Sequence, residues 1–208
     1  MTETELLVAT TNPGKFAEVQ AFLATLPLRA IPLGGLANPP EVIEDGRTFE
    51  ENALKKARTL AEYSGLLTLA DDSGLEVDAL GGAPGIYSAR YAGEEGNDQL
   101  NNQKLLGKMA GLAKEQRTAR FVCALALCAP QSLRLADRVV RETCEGWVAF
   151  EPKGFHGFGY DPLFFYPPLG KTFGEIDREL KGIVSHRGKA LVKVAEILSR
   201  LLELRIKP

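Results

Sequence analysis

The sequence predicts a mixed α/β fold, because strand and helix patterns alternate along the chain. Short apolar runs at residues 6–10 and 66–70 are typical of buried strands. Longer runs at residues 120–129 and 138–150 predict two further strands, paired as antiparallel neighbours. Since no repeat, low-complexity tract or linker divides the 208 residues, we expect one domain spanning residues 1–208, with or without two lobes.

Helix signals lie between and after these strands. Capping-box spacing between Thr48 and Glu51 opens a helix that Gly65 ends. Further helices are predicted over residues 98–109 and from residue 185 onward. A first helix is predicted after the turn at residues 11–15, with an apolar face formed by Phe16, Val19, Phe22 and Leu23. The apolar face of the last helix consists of Ala190, Leu191, Val194, Ile197, Leu198 and Leu201.

Composition limits the possible function classes. The formal net charge of -2 argues against a general nucleic-acid-binding surface, and no apolar run reaches membrane-spanning length. No signal peptide begins at the first residues. Cys123, Cys128 and Cys144 are odd in number and lack C-x-x-C spacing, a usage that suits a reducing cytoplasm. Cys123 and Cys128 lie in the apolar run at residues 121–128, so we expect them to be buried.

Asp71 and Asp72 are the most informative residues of the chain. An ionised carboxylate leaves water at a cost of several kcal/mol unless a partner or metal compensates, and adjacent carboxylates repel each other. A strand that ends before Ser73-Gly74 would present one acid to a crevice, where ligands of α/β sheets bind. A simple turn formed by Asp-Asp-Ser-Gly fits the sequence equally well.

A second candidate is the turn between the first strand and the first helix. Backbone N–H groups at a helix N-terminus favour an anion, and Lys15 adds a positive charge. The spacing is not that of a Walker loop, and an ordinary Pro-Gly turn before a helix is the alternative. The turn consists of Thr10, Thr11, Asn12, Pro13, Gly14 and Lys15.

A glycine- and aromatic-rich loop at residues 154–162 is a third candidate. Its aromatic rings suit stacking on a nucleotide base, and Asp161 can accept hydrogen bonds from a base edge or a sugar. The alternative is an aromatic loop that seals the core. The residues of interest are Phe158, Gly159, Tyr160 and Asp161.

A basic segment near the start of the last helix is the fourth candidate. Cations at a helix N-terminus cost stability, which is understandable if an anion or a keto oxygen lies among them. We therefore assign a functional role to His186 and Arg187, and include Lys181 with them. For Lys189 a solvated surface position is the preferred interpretation.

Taken together, these segments resemble the inosine triphosphate pyrophosphatase family, also called Ham1-like, over nearly the whole chain. Each motif is modest alone, but the set occurs in the family's order. The motifs are Thr48-Phe49-Glu50-Glu51-Asn52-Ala53, Asp71-Asp72-Ser73-Gly74-Leu75, residues 80–91, Phe158-Gly159-Tyr160-Asp161-Pro162 and Ser185-His186-Arg187-Gly188-Lys189-Ala190-Leu191.

The resemblance implies Mg²⁺-dependent hydrolysis of ITP, dITP or XTP to the monophosphate and pyrophosphate, which clears deaminated purines from the nucleotide pool. It also implies an elongated mixed α/β fold with a long central β-sheet flanked by helices, two lobes with the substrate cleft between them, and a homodimer. No nucleic acid or membrane partner is implied.

Site roles follow from the same resemblance. Asp72 matches the catalytic acid and metal ligand, and Ser73 beside it contacts substrate. Residues 10–15 match the phosphate-binding turn, and residues 158–161 match the base-stacking loop. Lys181, His186 and Arg187 match the basic set that recognises a 6-keto purine and holds the nucleotide.

Two positions depart from the family pattern. Family members commonly carry glycine where this chain has Thr11, so the backbone angles of the turn are expected to differ slightly. Ile43 occupies the usual place of the second acidic metal ligand. Glu44 is the natural substitute, with Glu41 a weaker one and a plain surface acid the alternative. Magnesium needs only one or two protein carboxylates, so either case leaves a workable site.

Two other functions compete with this interpretation. One is a pyrophosphatase for another altered nucleotide, such as a methylated pyrimidine triphosphate, although His186 and Arg187 suit a keto purine. The other is a nucleotide sensor without turnover, for which a complete acid, metal and phosphate set is unnecessary. Whether Asp71 takes part in catalysis or supports the structure is left open by the sequence.

Overall fold

The computed structural model describes residues 4–24, 26–93 and 96–206, with side chains described as far as residue 202. Its strands form one seven-stranded sheet in the order β2-β1-β3-β4-β5-β6-β7, flanked by helices, which confirms the mixed α/β fold. The strands are β1 (Thr4–Ala9), β2 (Leu28–Pro32), β3 (Leu67–Val77), β4 (Thr118–Cys128), β5 (Arg138–Val148), β6 (Phe164–Tyr166) and β7 (Lys171–Thr172). The α-helices are α1 (Pro13–Leu23), α2 (Phe49–Ser64), α3 (Asp98–Lys108), α4 (Arg178–Val184) and α5 (His186–Ile206).

The sheet mixes both strand directions. β1 pairs in parallel with β2 and with β3, whereas β6 pairs antiparallel with β5 and with β7. No helix in the described part of the chain has the length and apolar character needed to cross a membrane.

The chain divides into two compact units. The first unit comprises the described residues of Met1–Asp72, Cys123–Glu142 and Arg187–Pro208, and the second comprises those of Ser73–Val122 and Thr143–His186. Each has its own apolar core. In the first unit, α1 and α5 contribute Val19, Leu23, Ala190, Leu191, Val194 and Leu198, and the strands contribute Leu6, Val8, Leu28, Leu67, Leu69, Cys123, Leu125, Leu127 and Val140. The second core consists of Leu75, Val77, Leu105, Met109, Ala119, Phe121, Cys144, Val148, Tyr160, Leu163, Phe164, Phe173 and Ile176.

Local sequence signals set the ends of α2 as predicted. Thr48 Oγ1 accepts a hydrogen bond from Glu51 N at 3.1 Å. The Glu51 carboxylate accepts from Arg47 N instead of closing the capping box on Thr48. Gly65 follows the last helical residue with a φ of 70°, a left-handed conformation that suits glycine.

The strand that carries the two acids differs from the prediction. β3 does not end before Ser73 but continues to Val77, so Asp71 and Asp72 lie within a strand, and the turn alternative is wrong. Gly74 is required by a close approach: a Cβ there would lie 2.3 Å from Ser88 Oγ. The Ser88 hydroxyl accepts a hydrogen bond from Leu75 N at 2.9 Å. Tertiary contacts therefore override the turn propensity of Asp-Ser-Gly.

The remaining differences concern short elements. Sequence patterns did not reveal β2, β6, β7 or α4. Lys181 consequently belongs to the last turn of α4 rather than to the start of α5. The three cysteines are free and buried, which confirms the burial predicted for Cys123 and Cys128 and adds Cys144.

Candidate active site

The turn before α1 is shaped by its own polar side chains. Thr10 Oγ1 accepts a hydrogen bond from Asn12 N at 3.1 Å. Asn12 caps the helix, since its Oδ1 accepts from Lys15 N at 3.0 Å. Pro13 occupies the first helical position, where it lacks an N–H that would have no helical partner. Thr11 is not among the described residues with positive φ, so glycine is not needed there.

Lys15 reaches from this turn to the first of the two acids. Its Nζ lies 2.6 Å from Asp71 Oδ1. Arg187, at the start of α5, binds the other oxygen, with Nε 2.8 Å from Asp71 Oδ2. Arg187 Nη1 also donates to Glu18 Oε2 at 2.6 Å, and its side chain is only 2 % exposed. Two carboxylates and two cations thus form one network, in which Asp71 and Arg187 are buried and Lys15 and Glu18 are partly buried.

This network keeps Asp71 ionised. Burial raises the pKa of Asp71, but the Arg187 guanidinium and the Lys15 ammonium outweigh it and hold the pKa well below its usual range. Cys123 Sγ lies 3.4 Å from Asp71 Oδ2. Burial, with the adjacent Asp71 charge, raises the pKa of the Cys123 thiol well above its usual value, so the thiol is a neutral member of the network.

Asp72 lies in a different environment. Successive side chains of a strand point to opposite faces of the sheet, and Asp72 meets α2, where Asn52 Nδ2 donates to its Oδ2 at 3.0 Å. Asp72 is 6 % exposed. Burial raises the pKa of Asp72 to about 6, and the Glu44 carboxylate contributes in the same direction, while Lys15 and Lys56 oppose it. A carboxyl that titrates near neutrality is suited to accept a proton.

Glu44 is the acid that accompanies Asp72. Its charge acts on Asp72, and its carboxylate forms an ion pair with Lys56 of α2. Lys56 Nζ also donates to the Asp71 carbonyl oxygen at 3.2 Å. Ile43 is 69 % exposed, and Glu41 is also exposed. Glu44 is therefore the residue of this loop that fits a metal site, although no cluster of three acidic, histidine or cysteine ligands occurs among the described residues.

The second unit holds the base-loop residues. Lys181 Nζ lies 2.5 Å from Asp161 Oδ2, and both side chains are buried. The same Asp161 oxygen accepts a hydrogen bond from Phe158 N at 2.8 Å. Lys181 Nζ is also 4.5 Å from the centre of the Phe158 ring. Three of the residues assigned from the sequence are thus brought into direct contact.

Two residues that the sequence analysis missed hold the same loop. Asp98 Oδ2, at the start of α3, accepts from Gly159 N at 2.6 Å. One helical turn later, Asn102 Nδ2 donates to Gly159 O at 2.9 Å. Tyr160 donates its hydroxyl to Ser88 O at 2.9 Å and is buried. The polar i, i+4 pair Asp98 and Asn102 on α3 was the only sequence signal for this role.

His186 and Ser73 complete the list of predicted residues. The His186 ring stacks on Phe121, with centroids 4.6 Å apart and an interplanar angle of 14°, and the residue is buried. Ser73 follows Asp72 on β3 and is partly buried. By chain position, Ser73 and His186 belong to the second unit, whereas Asp72 and Arg187 belong to the first.

Comparison with known proteins agrees with the motifs. The model of the Ham1 family matches residues 6–197. A dITP/XTP pyrophosphatase of Desulforamulus reducens is 50 % identical over 197 residues, covering 95 % of this chain and 96 % of its own. A dITP/XTP pyrophosphatase of Exiguobacterium sp. is 52 % identical over 195 residues, covering 93 % of this chain and 97 % of its own.

Solved structures give the same result. A HAM1 protein from Coxiella burnetii superimposes with a TM-score of 0.85 at 40 % identity, covering 95 % of this chain and 99 % of its own. The Staphylococcus aureus Ham1 protein gives a TM-score of 0.83 at 39 % identity, covering 94 % and 98 %. Sequence and structure agree over almost the full length, and the chain belongs to the Ham1 family.

Proposed function

We propose that this protein hydrolyses the deaminated purine nucleotides dITP, XTP and ITP to the monophosphate and pyrophosphate. The relatives named dITP/XTP pyrophosphatases support the reaction and the substrate class. The observation that carries the proposal is Asp72, a buried carboxyl whose pKa is raised to about 6, beside Lys15, Glu44 and Lys56. A base of this pKa can take a proton from water at neutral pH.

In the proposed reaction, a water oxygen attacks a phosphorus of the triphosphate while Asp72 accepts one of its protons. The phosphoanhydride bond to the outer two phosphates breaks, and pyrophosphate leaves with the bonding electron pair. Residues 10–15 hold the phosphates through the N-terminus of α1, and Lys15 offsets the charge that builds on the phosphate oxygens. Asp71 holds Lys15 in place through their ion pair.

We further propose Mg²⁺ as the cofactor, with Asp72 and Glu44 as its protein ligands. Their hard carboxylate oxygens fit Mg²⁺, which keeps several waters and needs few protein ligands. When bound, the ion would neutralise phosphate charge and favour deprotonation of water.

The base is the proposed ligand of the second unit. Phe158 offers a stacking face, and Asp161 is held by Lys181 and by Phe158 N. His186 would donate to the 6-keto oxygen, while Ser73 and Arg187 complete the substrate-binding set. The 6-amino group of adenine is itself a donor, so it would leave the His186 donor without an acceptor. An unpaired buried polar group costs about 1–3 kcal/mol, so ATP and dATP are disfavoured.

Further proposals concern the protein's cellular setting. Removal of deaminated purines before polymerases use them is the role that such an activity serves. Free, buried cysteines suit the reducing cytoplasm, where this nucleotide pool is located. A homodimer, as the family resemblance implies, remains our expectation for the assembly.

The deciding experiment measures pyrophosphate release from dITP, XTP, ITP, dATP and dGTP with Mg²⁺, for the wild type and Asp72→Asn. Fast release from the first three, lost in Asp72→Asn, is the expected result. An equal rate on dATP would refute the selectivity argument, whereas dGTP, which also carries a 6-keto oxygen, tests whether a 2-amino group is excluded. Binding without release would favour the sensor, and preference for a methylated pyrimidine triphosphate would favour the other pyrophosphatase.

A further inference from the structure

Asn52 lies on α2 between Asp72 and the loop that carries Glu44. It belongs to the motif Thr48–Ala53, which has no role in the proposed reaction. It is fully buried, at 0 % exposure. Its Nδ2 donates to Asp72 Oδ2 at 3.0 Å, and its Oδ1 accepts from Gly46 N at 2.7 Å. One side chain therefore connects the catalytic acid to the loop that carries Glu44.

The two partners determine the amide orientation. A carboxylate oxygen only accepts, so it must meet the NH₂ group of Asn52, and a backbone N–H only donates, so it must meet the amide oxygen. Aspartate at position 52 could satisfy Gly46 N but would turn a second negative charge toward Asp72. A shorter apolar residue would satisfy neither partner, which explains why an amide of this length occupies the position.

Gly46 fits the same arrangement. A Cβ at this position would lie 2.6 Å from Asn52 Oδ1 and 2.9 Å from Glu51 Cβ. Glycine is therefore needed for the loop backbone to approach α2 closely enough to donate to Asn52. Glu44 lies two residues before this anchor, so the anchor limits where the Glu44 backbone can move.

The hydrogen bond also distinguishes the two oxygens of Asp72. Oδ2 is engaged by Asn52, whereas Oδ1 accepts no hydrogen bond from any residue in the described part of the chain. With one oxygen fixed, rotation of the carboxyl is restricted. Oδ1 is then the oxygen available for a water proton or a cation.

We propose that Asn52 is a positioning residue: it fixes the carboxyl of Asp72 and holds the Glu44 loop against it, so that the two acids act as one cation-binding pair. The inference rests on the proposed function. It assigns Asn52 no contact with substrate, so its loss should affect kcat and Mg²⁺ affinity while the KM for dITP stays the same. Partners that orient metal ligands are commonly worth tenfold or more in affinity or rate.

The test compares Asn52→Ala and Gly46→Ala with a matched control, Asn101→Ala. Asn101 is also a buried asparagine on a helix, with Oδ1 accepting from Ala92 N at 2.7 Å and Nδ2 donating to Ala89 O at 3.1 Å. Calorimetry without nucleotide gives the Mg²⁺ dissociation constant, thermal unfolding gives the Tm, and pyrophosphate release from dITP gives kcat and KM. Each variant is measured by all three methods.

Asn52→Ala should weaken Mg²⁺ binding and lower kcat by about tenfold each, with KM within about twofold. Gly46→Ala places a Cβ against Asn52 Oδ1, so the hydrogen bond between the loop and Asn52 is disturbed and Mg²⁺ affinity should fall. Asn101→Ala should lose Tm with an unchanged Mg²⁺ dissociation constant. An Asn52→Ala protein that loses Tm but keeps Mg²⁺ affinity and kcat would show that Asn52 is structural only, and would overturn the inference.

The proposed function can fail separately. A wild type that releases no pyrophosphate from any nucleotide refutes the activity, while the Mg²⁺ dissociation constants still test Asn52. A wild type that turns over dITP but binds no Mg²⁺ leaves the activity standing and overturns the cation-binding pair, and the inference with it. If Asn52→Ala does not fold, the Gly46→Ala result decides, because this variant disturbs the same contact between Asn52 and the Glu44 loop while the Asn52 side chain is kept.

Discussion

The two faces of β3 give neighbouring carboxyls opposite properties. On the face toward α1 and α5, Asp71 pairs with Lys15 and with Arg187, which also pairs with Glu18, and the pKa of Asp71 falls well below the usual range. On the face toward α2, Asp72 meets an amide, and its pKa rises to about 6. Adjacent residues of one strand therefore differ in effect: the charge of Asp71 stabilises the fold, whereas the charge of Asp72 costs folding free energy.

The difference follows from the charges and the burial on each face. On the Asp71 face, two carboxylates pair with two cations, so their charges compensate one another. On the Asp72 face, burial and the Glu44 carboxylate raise the pKa of Asp72, and Lys15 and Lys56 do not outweigh them. The first face resembles a structural ion-pair network, whereas the second is poised to bind a cation or a proton. The structure thus favours a supporting role for Asp71, the question that the sequence left open.

The largest effect is expected for Asp71→Asn. The substitution leaves Arg187 buried with Glu18 as its remaining network carboxylate and removes the partner of Lys15, at a cost of about 3–5 kcal/mol of folding free energy. Because the folded pKa is depressed, this contribution is present above the unfolded pKa of about 3.9 and is lost as pH falls through the folded pKa. Urea unfolding at pH 7 measures the cost, which should still be present at pH 4, because pH 4 lies above both pKa values.

Arg141→Gln is the control for Asp71→Asn. Arg141 pairs with Glu50 at 3.2 Å on a partly exposed surface, so its loss should cost less than about 1 kcal/mol. If Asp71→Asn proves no more costly than this exposed pair, the contrast between the faces is wrong.

The second effect has the opposite sign. Asp72→Asn should stabilise the metal-free protein by about 3 kcal/mol at pH 8, because ionisation of a carboxyl with a pKa of about 6 in the folded state costs free energy. Since this folded pKa lies above the unfolded value, the gain is complete above pH 6 and vanishes below about pH 4. Thermal unfolding in EDTA between pH 4 and 8 provides the test, and a variant less stable than the wild type at pH 8 would contradict it.

Glu44→Gln sharpens the comparison on the Asp72 face. Removing the Glu44 charge should lower the pKa of Asp72, so that the stabilisation by Asp72→Asn shrinks by about 1 kcal/mol in this background. A double-mutant cycle at pH 8 in EDTA measures this coupling. Glu41→Gln, an exposed acid of the same loop, is the matched control and should show no coupling. Equal couplings for the two acids would mean that Glu44 has no special relation to Asp72.

Elements with a complete local signal could be predicted from the sequence. Thr48 and Gly65 set the two ends of α2 through hydrogen bonds within a few residues. Asn12 caps the start of α1 in the same way. β6 and β7, with three and two residues, are too short to show a period. The Ser73-Gly74 pair suggested a turn because Ser88, which explains the glycine, lies far along the chain.

The candidate site shows the same limit. Asp72 was identified because burying adjacent acids is costly wherever they occur. The partners of Arg187 lie 116 and 169 residues away, so the sequence suggested a substrate anion where the structure has Asp71 and Glu18. Whether Arg187 also contacts substrate stays a prediction. Asn52 and Lys56 were missed because a polar helix position gives no sign of facing a buried acid.

The smallest effect is expected outside β3, for Asn102→Ala in the second unit. The variant loses one hydrogen bond to Gly159 O, while Asp98 still accepts from Gly159 N. A neutral hydrogen bond contributes about 0.5–1.5 kcal/mol, so the KM for dITP should rise about threefold to tenfold with kcat unchanged, because the loop that carries Phe158 is less well fixed. Gln103→Ala, an exposed neighbour on α3, is the control.

The pH dependence of stability assigned to Asp71 and Asp72 should not change in Asn102→Ala, since the variant leaves both faces of β3 intact. A fall in kcat at constant KM would instead show that α3 acts on the chemical step, and the division of tasks between the phosphate residues and the base loop would have to be abandoned.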